Sequence, residues 1–457
     1  MIPIVTPEQM AAIDAAAPEP VEELIDRAGR ATARVALEML GGSYGRVVNV
    51  IAGGGNNGAD GRTAAAYLAR RGVNVRVIDG VMRPPILPAC DLVIDAAFGT
   101  GFRGEWIAPD LAPSGGDRPL VLAVDIPSGV NALTGEAGSG VLVADRTVTF
   151  QALKPGLVFG QGRELSGEVV VADIGLDVTS ADRFLVDADD VGAWWTRRAV
   201  DAHKWNGAVR VVAGSRGMLG AGRLCAAAAA RSGAGLVMLS SPGIDPLARD
   251  EIIQRPIPAE GFEHVVLNDL DRFASLVIGP GLGRDEPTLA GARRLIADAA
   301  VPVVVDGDAI FASAWSADGA GPLVRGRGLP TVVTPHDGEF ALLHGSAPGA
   351  DRVEAARRLA ADLDCTVLLK GPTTVVAEPS RGGVAYVIDH GDERLATAGS
   401  GDVLAGMIGA LLASGLDAGR AAAAAAWLHA DAGRRGPERG LLAGDLVDLI
   451  PAALSAL

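Results

Sequence analysis

The strongest constraint on this chain is a repeated local pattern. A short, almost wholly apolar run of β type ends in an acid or a Gly-rich turn, and a segment of helical length follows. Val47-Val48-Asn49-Val50-Ile51-Ala52 runs into Gly53, Leu92-Val93-Ile94 stops at Asp95, and Val121-Leu122-Ala123-Val124 stops at Asp125. Helical patterns cover 8–40, interrupted by Pro18 and Pro20, and 61–71, with another strand over 73–78. Strands that are apolar on both faces and alternate with helices predict a parallel sheet covered on both sides. Ligands in such sheets sit beyond the carboxyl ends of the strands, where both acids fall. After residues 179–206, which read as a connector with some packed local structure, the pattern resumes. Strands are predicted at 209–213, 236–239, 276–279, 301–305, 330–333, 366–369 and 384–388, and helices over 221–230, 403–414 and 420–433. With 457 residues, the simplest count is two α/β domains.

Composition narrows the function. Glycine supplies 61 residues and aromatics only 4%. The core must therefore be built from small aliphatic side chains and close backbone approaches. A net charge of −15 excludes a basic nucleic-acid footprint and opposes anionic membranes, so an anionic ligand has to be caught locally. Cys90, Cys225 and Cys365 are far apart and odd in number, without disulfide or zinc spacing, and suit a reducing compartment. The apolar run 403–416, between Asp402 and Asp417, is too short to span a bilayer, and Met1-Ile2-Pro3-Ile4 does not open a signal peptide. The expectation is a cytoplasmic protein that binds neither nucleic acid nor membrane.

Three polar strand ends mark a site in the first half. Gly53-Gly54-Gly55-Asn56-Asn57-Gly58-Ala59-Asp60-Gly61 lies between a strand and a helix. Glycines allow main chain to approach a ligand, and a helix start can hold phosphate. The run is neither a GxGxxG fingerprint nor a P-loop, and a plain βα turn is the alternative. Asp95 leads into Ala96-Ala97-Phe98-Gly99-Thr100-Gly101-Phe102-Arg103-Gly104, and Asp125 into Ile126-Pro127-Ser128-Gly129. Either acid alone could be a helix cap. Together the carboxylates, amide and hydroxyl are hard oxygen donors that suit Mg²⁺ or an alkali cation.

These segments, with Leu153-Lys154-Pro155-Gly156, resemble the epimerase domain of the NAD(P)H-hydrate repair family, whose fold is Rossmann-like. The resemblance implies substrate contacts from Asn56, Asn57, Gly58, Ala59 and Asp60, and from Gly99, Thr100, Gly101, Phe102, Arg103, Gly104 and Glu105. It implies that Asp125 binds substrate and is the acid/base, and that K⁺ sits near Asn57, Asp95 and Ser128. Ala59 stands where the family usually has glycine, which a methyl group tolerates only at negative φ.

In the second half, Ala398-Gly399-Ser400-Gly401-Asp402-Val403 is the sharpest motif. A Gly/Ser loop entering an apolar helix offers backbone N–H groups to a transferring phosphoryl group, and Asp402 is placed to take a proton from an attacking hydroxyl. A helix cap is the alternative. Lys370-Gly371-Pro372-Thr373-Thr374 follows a strand and suits a nucleotide phosphate, although a lysine there could equally form a structural ion pair. His336, in Thr334-Pro335-His336-Asp337-Gly338-Glu339, reads equally as a ligand contact or as a packing or surface histidine. Gly279 to Gly283 could admit ligand or be a turn, and Asp306 and Asp308 could be supporting polar groups or caps. The remaining histidines, 203, 264, 344, 390 and 429, have no metal-ligand spacing.

Together with His203-Lys204 and Ser232-Gly233-Ala234-Gly235, these segments resemble the ADP- or ATP-dependent NAD(P)H-hydrate dehydratases, which are similar to ribokinase-like kinases. The resemblance implies a Rossmann-like three-layer α/β domain over 1–178, a connector over 179–202 and a ribokinase-like α/β domain over 203–457. It implies donor contacts at Lys370, Gly371, Pro372, Thr373, Thr374 and Gly401, and hydrate contacts at Ala221, Gly281 or Gly283 (Gly283 being taken), His336 and Asp402. Asp402 would be the base, Mg²⁺ would accompany ADP or ATP, and the chain would form a homo-oligomer. Departures are Trp205, Gly307, and Asp337 in place of proline. The implied activity is repair of hydrated NADH and NADPH (NADHX and NADPHX): epimerisation of the R and S hydrates, then dehydration of the S form, giving AMP and phosphate from ADP. The alternatives are a ribokinase-like small-molecule kinase with a regulatory N-terminal domain, and a nucleotide-binding protein without turnover.

Overall fold

The structure is a computed structural model describing residues 1–113, 117–195, 199–314, 320–325, 327–380 and 383–457. It divides into two compact units, Ile2–Arg183 and Phe184–Leu457. Both are α/β.

The first unit opens with helices α1 (Pro7–Ala16) and α2 (Val21–Leu40), separated at the two prolines as expected. Thr6 caps α1 in a reciprocal box with Gln9, and Gly41 ends α2 in the left-handed conformation. A six-stranded sheet follows: β1 (Val47–Ala52), β2 (Asn74–Asp79), β3 (Leu92–Ala96), β4 (Leu120–Val124), β5 (Arg146–Phe150) and β6 (Glu168–Ala172). Its order is β2-β1-β3-β4-β5-β6, and every pairing is parallel. The order reverses at β1, so the carboxyl ends of β1, β3 and β4 flank one crevice. Helix α3 (Asn56–Arg70) packs on the sheet through Ala64 and Leu68, which join Val48, Val50, Ile94 and Leu122 in one core.

In the second unit, a short strand (Arg183–Leu185) and a short helix (Ala188–Trp194) occupy part of the expected connector; residues 196–198 lie outside the described residues. The main strands are β7 (Ala208–Val212), β8 (Leu236–Ser241), β9 (Ile253–Pro256), β10 (Ser275–Ile278), β11 (Val303–Val305), β12 (Thr331–Val333), β13 (Thr366–Leu369), β14 (Thr374–Ala377) and β15 (Ala385–Ile388). They are ordered β15-β14-β13-β12-β11-β10-β7-β8-β9, parallel from β12–β13 to β8–β9 and antiparallel at β13–β14 and β14–β15. Helices α4 (Leu219–Arg231), α5 (Ser400–Ala413), α6 (Ala418–Arg435) and α7 (Ala443–Leu454) build its main apolar layer. Helix α5 is buried from Val403 to Ala413, as its all-round apolarity predicts. The glycine content has a direct use here. A Cβ on Gly406 would stand 2.1 Å from the Cys225 carbonyl oxygen, so α5 and α4 approach at a distance no side chain permits. No helix among the described residues is long and apolar enough to cross a membrane.

Candidate active sites

The first site is a cavity of about 670 Å³ at the β1, β3 and β4 ends. It is lined by Gly54, Gly55, Asn56, Asn57 and Asp60 from one side and by Gly99 to Arg103 from another. Asp125 and Lys154 form its polar floor, and Val21, Leu24, Ile25 and Ala28 of α2 an apolar wall. Gly104 and Glu105, predicted with the loop, are exposed beyond the lining.

Helix α3 begins at Asn56, five residues before the predicted start at 61. Asparagine and glycine are poor helix formers, so the run reads as a loop, but tertiary packing sets the boundary. A Cβ at Gly58 would stand 1.9 Å from the Gly53 carbonyl oxygen, so the first turn is pressed against the loop before it. Ala59 is helical and not among the residues with positive φ, so its methyl group is accommodated. Gly55 caps the helix without a side-chain bond, leaving first-turn N–H groups for an anion.

Neither strand-end acid is a helix cap. Asp95 is 0% exposed; its Oδ1 accepts from Ser128 Oγ at 2.6 Å and its Oδ2 from the Ser128 backbone at 2.9 Å. Burial pushes its carboxyl pKa up, against the hydrogen bonds from Ser128 and Ala97. Both amide atoms of Asn57 are buried without a hydrogen-bond partner among the described residues. Asp125 sits at φ +68, a left-handed conformation that costs a non-glycine residue about 1 kcal/mol or more. Its Oδ1 lies 2.7 Å from Lys154 Nζ and accepts from Thr149 Oγ1 at 3.2 Å. Lys154, only 1% exposed, also donates to Thr149 Oγ1 at 2.9 Å and to the Phe150 carbonyl at 3.1 Å. All three of its donors are thus used.

The remaining acids have no such partner. Asp60 is 8% exposed, and burial, then Asp125 and Asp14, push its pKa up to about 8 despite Lys154. Asp14, on α1, is raised as well, mainly by burial. Sequence reading named Asp60 and Asp125 but gave no role to Asp14, Thr149 or Lys154. Only Lys154 carried a signal, as a lysine in a Gly/Pro turn just after a strand.

The second site gathers at the ends of β10 to β13 and the start of α5. Gly399 adopts φ +91 and caps α5, so Asp402 belongs to the first turn rather than to the cap. Among the described residues none hydrogen-bonds to the Asp402 carboxylate. Burial, then Asp306, raise its pKa to about 7; Lys370 pulls it down and Asp308 adds to the rise. Lys370 Nζ lies 3.0 Å from Asp306 Oδ1 and 3.6 Å from Glu339 Oε2, and a Cβ on Gly401 would stand 3.7 Å from it. Burial opposes the charge of Lys370, but Asp306 and Glu339 outweigh it and hold its pKa above the ordinary value. Thr334 Oγ1 donates to Asp306 Oδ1 at 2.6 Å.

Asp308 accepts from the Gly283 backbone at 2.9 Å and from Arg284 Nε at 2.6 Å. A Cβ on Gly281 would stand 2.8 Å from that of Ala221, so the two predicted contacts pack together. His336 caps the helix Asp337–His344, its Nδ1 accepting from Gly338 and Glu339, while its ring stays largely exposed. Gly371 and Pro372 are exposed, Thr373 is buried, and Thr374 starts β14.

The three departures resolve as local packing. Asp337 forms a two-pronged ion pair with Arg352, whose Nη2 also donates to the Lys370 carbonyl. Its charge is paired, and Arg352 ties it to the lysine strand end. Gly307 sits at φ +53, a conformation that suits glycine. Trp205 lies against Phe273, with the Arg272 guanidinium 4.3 Å over its ring. His429, which has no metal-ligand spacing in the sequence, is buried on α6 against the Ser400 backbone, and burial drives its pKa down to about 4.

Two parallel-sheet domains, each with a carboxylate beside a lysine and a helix start open to anions, define a bifunctional α/β enzyme acting on phosphorylated ligands. The comparisons agree. Residues 209–453 match the family described as NAD(P)H-hydrate dehydratase, and residues 21–89 and 78–156 match the YjeF-related protein N-terminus. The bifunctional NAD(P)H-hydrate repair enzyme Nnr of Mycobacterium tuberculosis (strain ATCC 25618 / H37Rv) is 41% identical over 409 residues, 84% of this chain and 82% of that protein. That of Escherichia coli (strain K12) is 33% identical over 473 residues, 93% and 88% of the two chains. The crystal structure of the ADP/ATP-dependent NAD(P)H-hydrate dehydratase from Bacillus subtilis, co-crystallized with ATP/Mg²⁺, is 28% identical. It aligns with a TM-score of 0.52 over 59% of this chain and 96% of that one. The chain belongs to the bifunctional NAD(P)H-hydrate repair enzyme family.

Proposed function

We propose that the first domain interconverts the R and S hydrates of NADH and NADPH, and that the second dehydrates the S hydrate using ADP, or ATP in its place. The observation that carries the reading is Asp402: a partly exposed carboxylate in the first turn of α5, without a hydrogen-bond or ion-pair partner among the described residues, its pKa raised mainly by desolvation to about 7, beside a lysine and a helix start. A base half-ionised at neutral pH suits removal of the hydroxyl proton as that oxygen attacks a phosphoryl group. The Gly399 to Gly401 amides meet the charge that develops, and Lys370 faces the donor phosphates. Phosphorylation turns a poor leaving group into a good one, and elimination then restores the dihydronicotinamide, releasing AMP and phosphate when ADP is the donor.

Asp306, Asp308, Glu339 and Asp402 outnumber Lys370 and Arg284, so the site is acidic for a nucleotide. Among the described residues no three acidic, histidine or cysteine side chains form a ready metal cage. That fits a Mg²⁺ carried in on the phosphates and held mostly by them and by water, where it supplies charge neutralisation. In the first domain, the orphaned Asn57 amide and the buried, cation-free Asp95 fit K⁺, with Ser128 completing the oxygen donors. The start of α3 would hold the hydrate's pyrophosphate, and the Gly99 to Glu105 loop would cover the ring.

The test is recovery of NADH absorbance from a purified R/S mixture of NADH hydrate with Mg²⁺, K⁺ and ADP or ATP. Conversion of both epimers, with one phosphate released per NADH, is expected. Conversion that stops at the S fraction refutes the epimerase reading, and a stable phosphorylated product without NADH refutes the dehydratase reading in favour of a kinase.

A further inference from the structure

The epimerase reading, on which this inference rests, leaves unsaid how one site serves two opposite configurations at one carbon. Water adds to the enamine of a dihydronicotinamide at the carbon next to the ring nitrogen, so the hydrate is a hemiaminal. Inverting it requires the carbon–oxygen bond to break on one face and to form on the other. One acid/base group cannot reach both faces. The cavity is lined by three carboxylates in different circumstances, Asp14 on α1, Asp60 on α3 and Asp125 at the end of β4. Asp125 is bound to Lys154 at 2.7 Å and shares Thr149. Asp60 lines the same cavity from α3, is 8% exposed, and has no hydrogen-bond or ion-pair partner among the described residues.

We propose that Asp60 is the second catalytic group of the first domain, the proton donor that faces Asp125 across the bound ring. In one direction Asp60 gives its proton to the departing hydroxyl, and the C–O bond breaks with its electron pair leaving in water. The ring-nitrogen lone pair forms the C=N bond of an iminium. Water then adds to the opposite face, the iminium electrons return to nitrogen, and Asp125 takes the proton released. The reverse direction uses Asp125 as acid and Asp60 as base, so no outside oxidant or co-reactant is needed.

The surroundings of Asp60 support a group that holds its proton. Asp14 faces it from α1, Asp125 from the end of β4, and Lys154 beyond β5 is already tied to Asp125. Helix α2 offers this cavity only Val21, Leu24, Ile25 and Ala28. On α3 itself, Arg62 is turned to the Gly53 carbonyl, and Arg103 on the facing loop bonds the Thr100 and Phe102 carbonyls. With a pKa near 8 on Asp60 and a partner acid ion-paired to Lys154 at 2.7 Å, the pair is arranged as acid and base in one cleft.

The experiment compares wild-type enzyme with Asp60→Asn, following epimerisation of separated R and S NADH hydrate by chromatography, with K⁺ present and nucleotide absent. Asp60→Asn should lose ~100-fold or more in kcat in both directions, with KM changed less than about threefold, because the amide keeps the shape but cannot give a proton. Wild-type kcat should fall above a midpoint near pH 8. Melting curves of both proteins monitor folding. A variant within threefold of wild-type kcat, a variant altered only in KM, or a wild-type profile flat from pH 7 to 9.5 overturns the proposal. The wild-type profile decides even if the variant fails to fold. A wild-type enzyme with no epimerase activity removes the underlying reading along with this one, which is a distinct result from an active enzyme indifferent to Asp60.

Discussion

Asp402→Asn should abolish dehydration and at the same time stabilise the second domain, and the stabilisation should grow with pH. The carboxyl's pKa is raised in the fold from the ordinary 3.8 to about 7. Each unit corresponds to 1.36 kcal/mol, so ionised Asp402 destabilises the folded state by about 4 kcal/mol. The sign follows from proton binding. The folded state holds this proton more tightly than the unfolded chain, so no stability is lost below the unfolded value. The loss builds as pH rises and saturates above about 7. At pH 5 it is ~1–2 kcal/mol by the same relation, and at pH 8 it is complete. Asparagine imitates the neutral acid at every pH. Thermal unfolding at pH 5, 6, 7 and 8 should therefore show a gap between variant and wild type that widens to about 10 °C for a domain of this size. Over the same range, wild-type dehydration should rise with a midpoint near 7, while the variant falls by ~100-fold or more. A stability gap that stays constant from pH 5 to 8, or favours wild type, would refute the claim that the fold raises the pKa of Asp402.

Lys154→Met should unfold the first domain earlier by ~3–5 kcal/mol, because it leaves Asp125 buried without its cation, and epimerase activity should go with it; chemical denaturation followed by circular dichroism measures the loss. Gly58→Ala should destabilise the first domain and weaken its hydrate binding, since its methyl group meets the Gly53 carbonyl at 1.9 Å, whereas Ala59→Gly next to it should leave binding within about twofold; calorimetric titration of the two variants tests the contrast. Asp337→Ala frees Arg352 from its two-pronged pair and should raise KM for the nucleotide more than it lowers kcat, read from steady-state kinetics with varied ADP. Replacing K⁺ with a quaternary ammonium salt should suppress epimerisation and leave dehydration of purified S hydrate unchanged.

What the sequence reveals, and what it hides, follows from the range of each interaction. Asp95, Asp125 and Asp402 are legible because each stands at the end of an apolar β run or after a Gly-rich loop, a local signal. The role of Lys154 is not, because it depends on β4 and β5 being neighbours with Val124 opposite Val148, a register that only the folded sheet states. Asp14 is hidden for the same reason: on α1 it is one more acid on a helix. The buried strand β5, Arg-Thr-Val-Thr-Phe, and the edge strand β9, Ile-Gln-Arg-Pro, escape a search for apolar runs because both mix polar residues into short segments. The helix start at Asn56 is missed because local propensity favours a loop while packing against Gly53 enforces a turn.

The two sites use lysine in opposite ways, and the difference assigns their chemistry. In the first, Lys154 is buried with all its donors held by Asp125, Thr149 and Phe150. It orients a carboxylate, and its donors are all used within the protein. Among the described residues the other cation that lines this cavity, Arg103, bonds only the Thr100 and Phe102 carbonyls of its own loop. In the second, Lys370 is shared between Asp306 and Glu339 and stands beside Gly401, at the mouth of the helix that carries Asp402. On the dehydratase reading a donor phosphate would compete with Asp306 and Glu339 for it there.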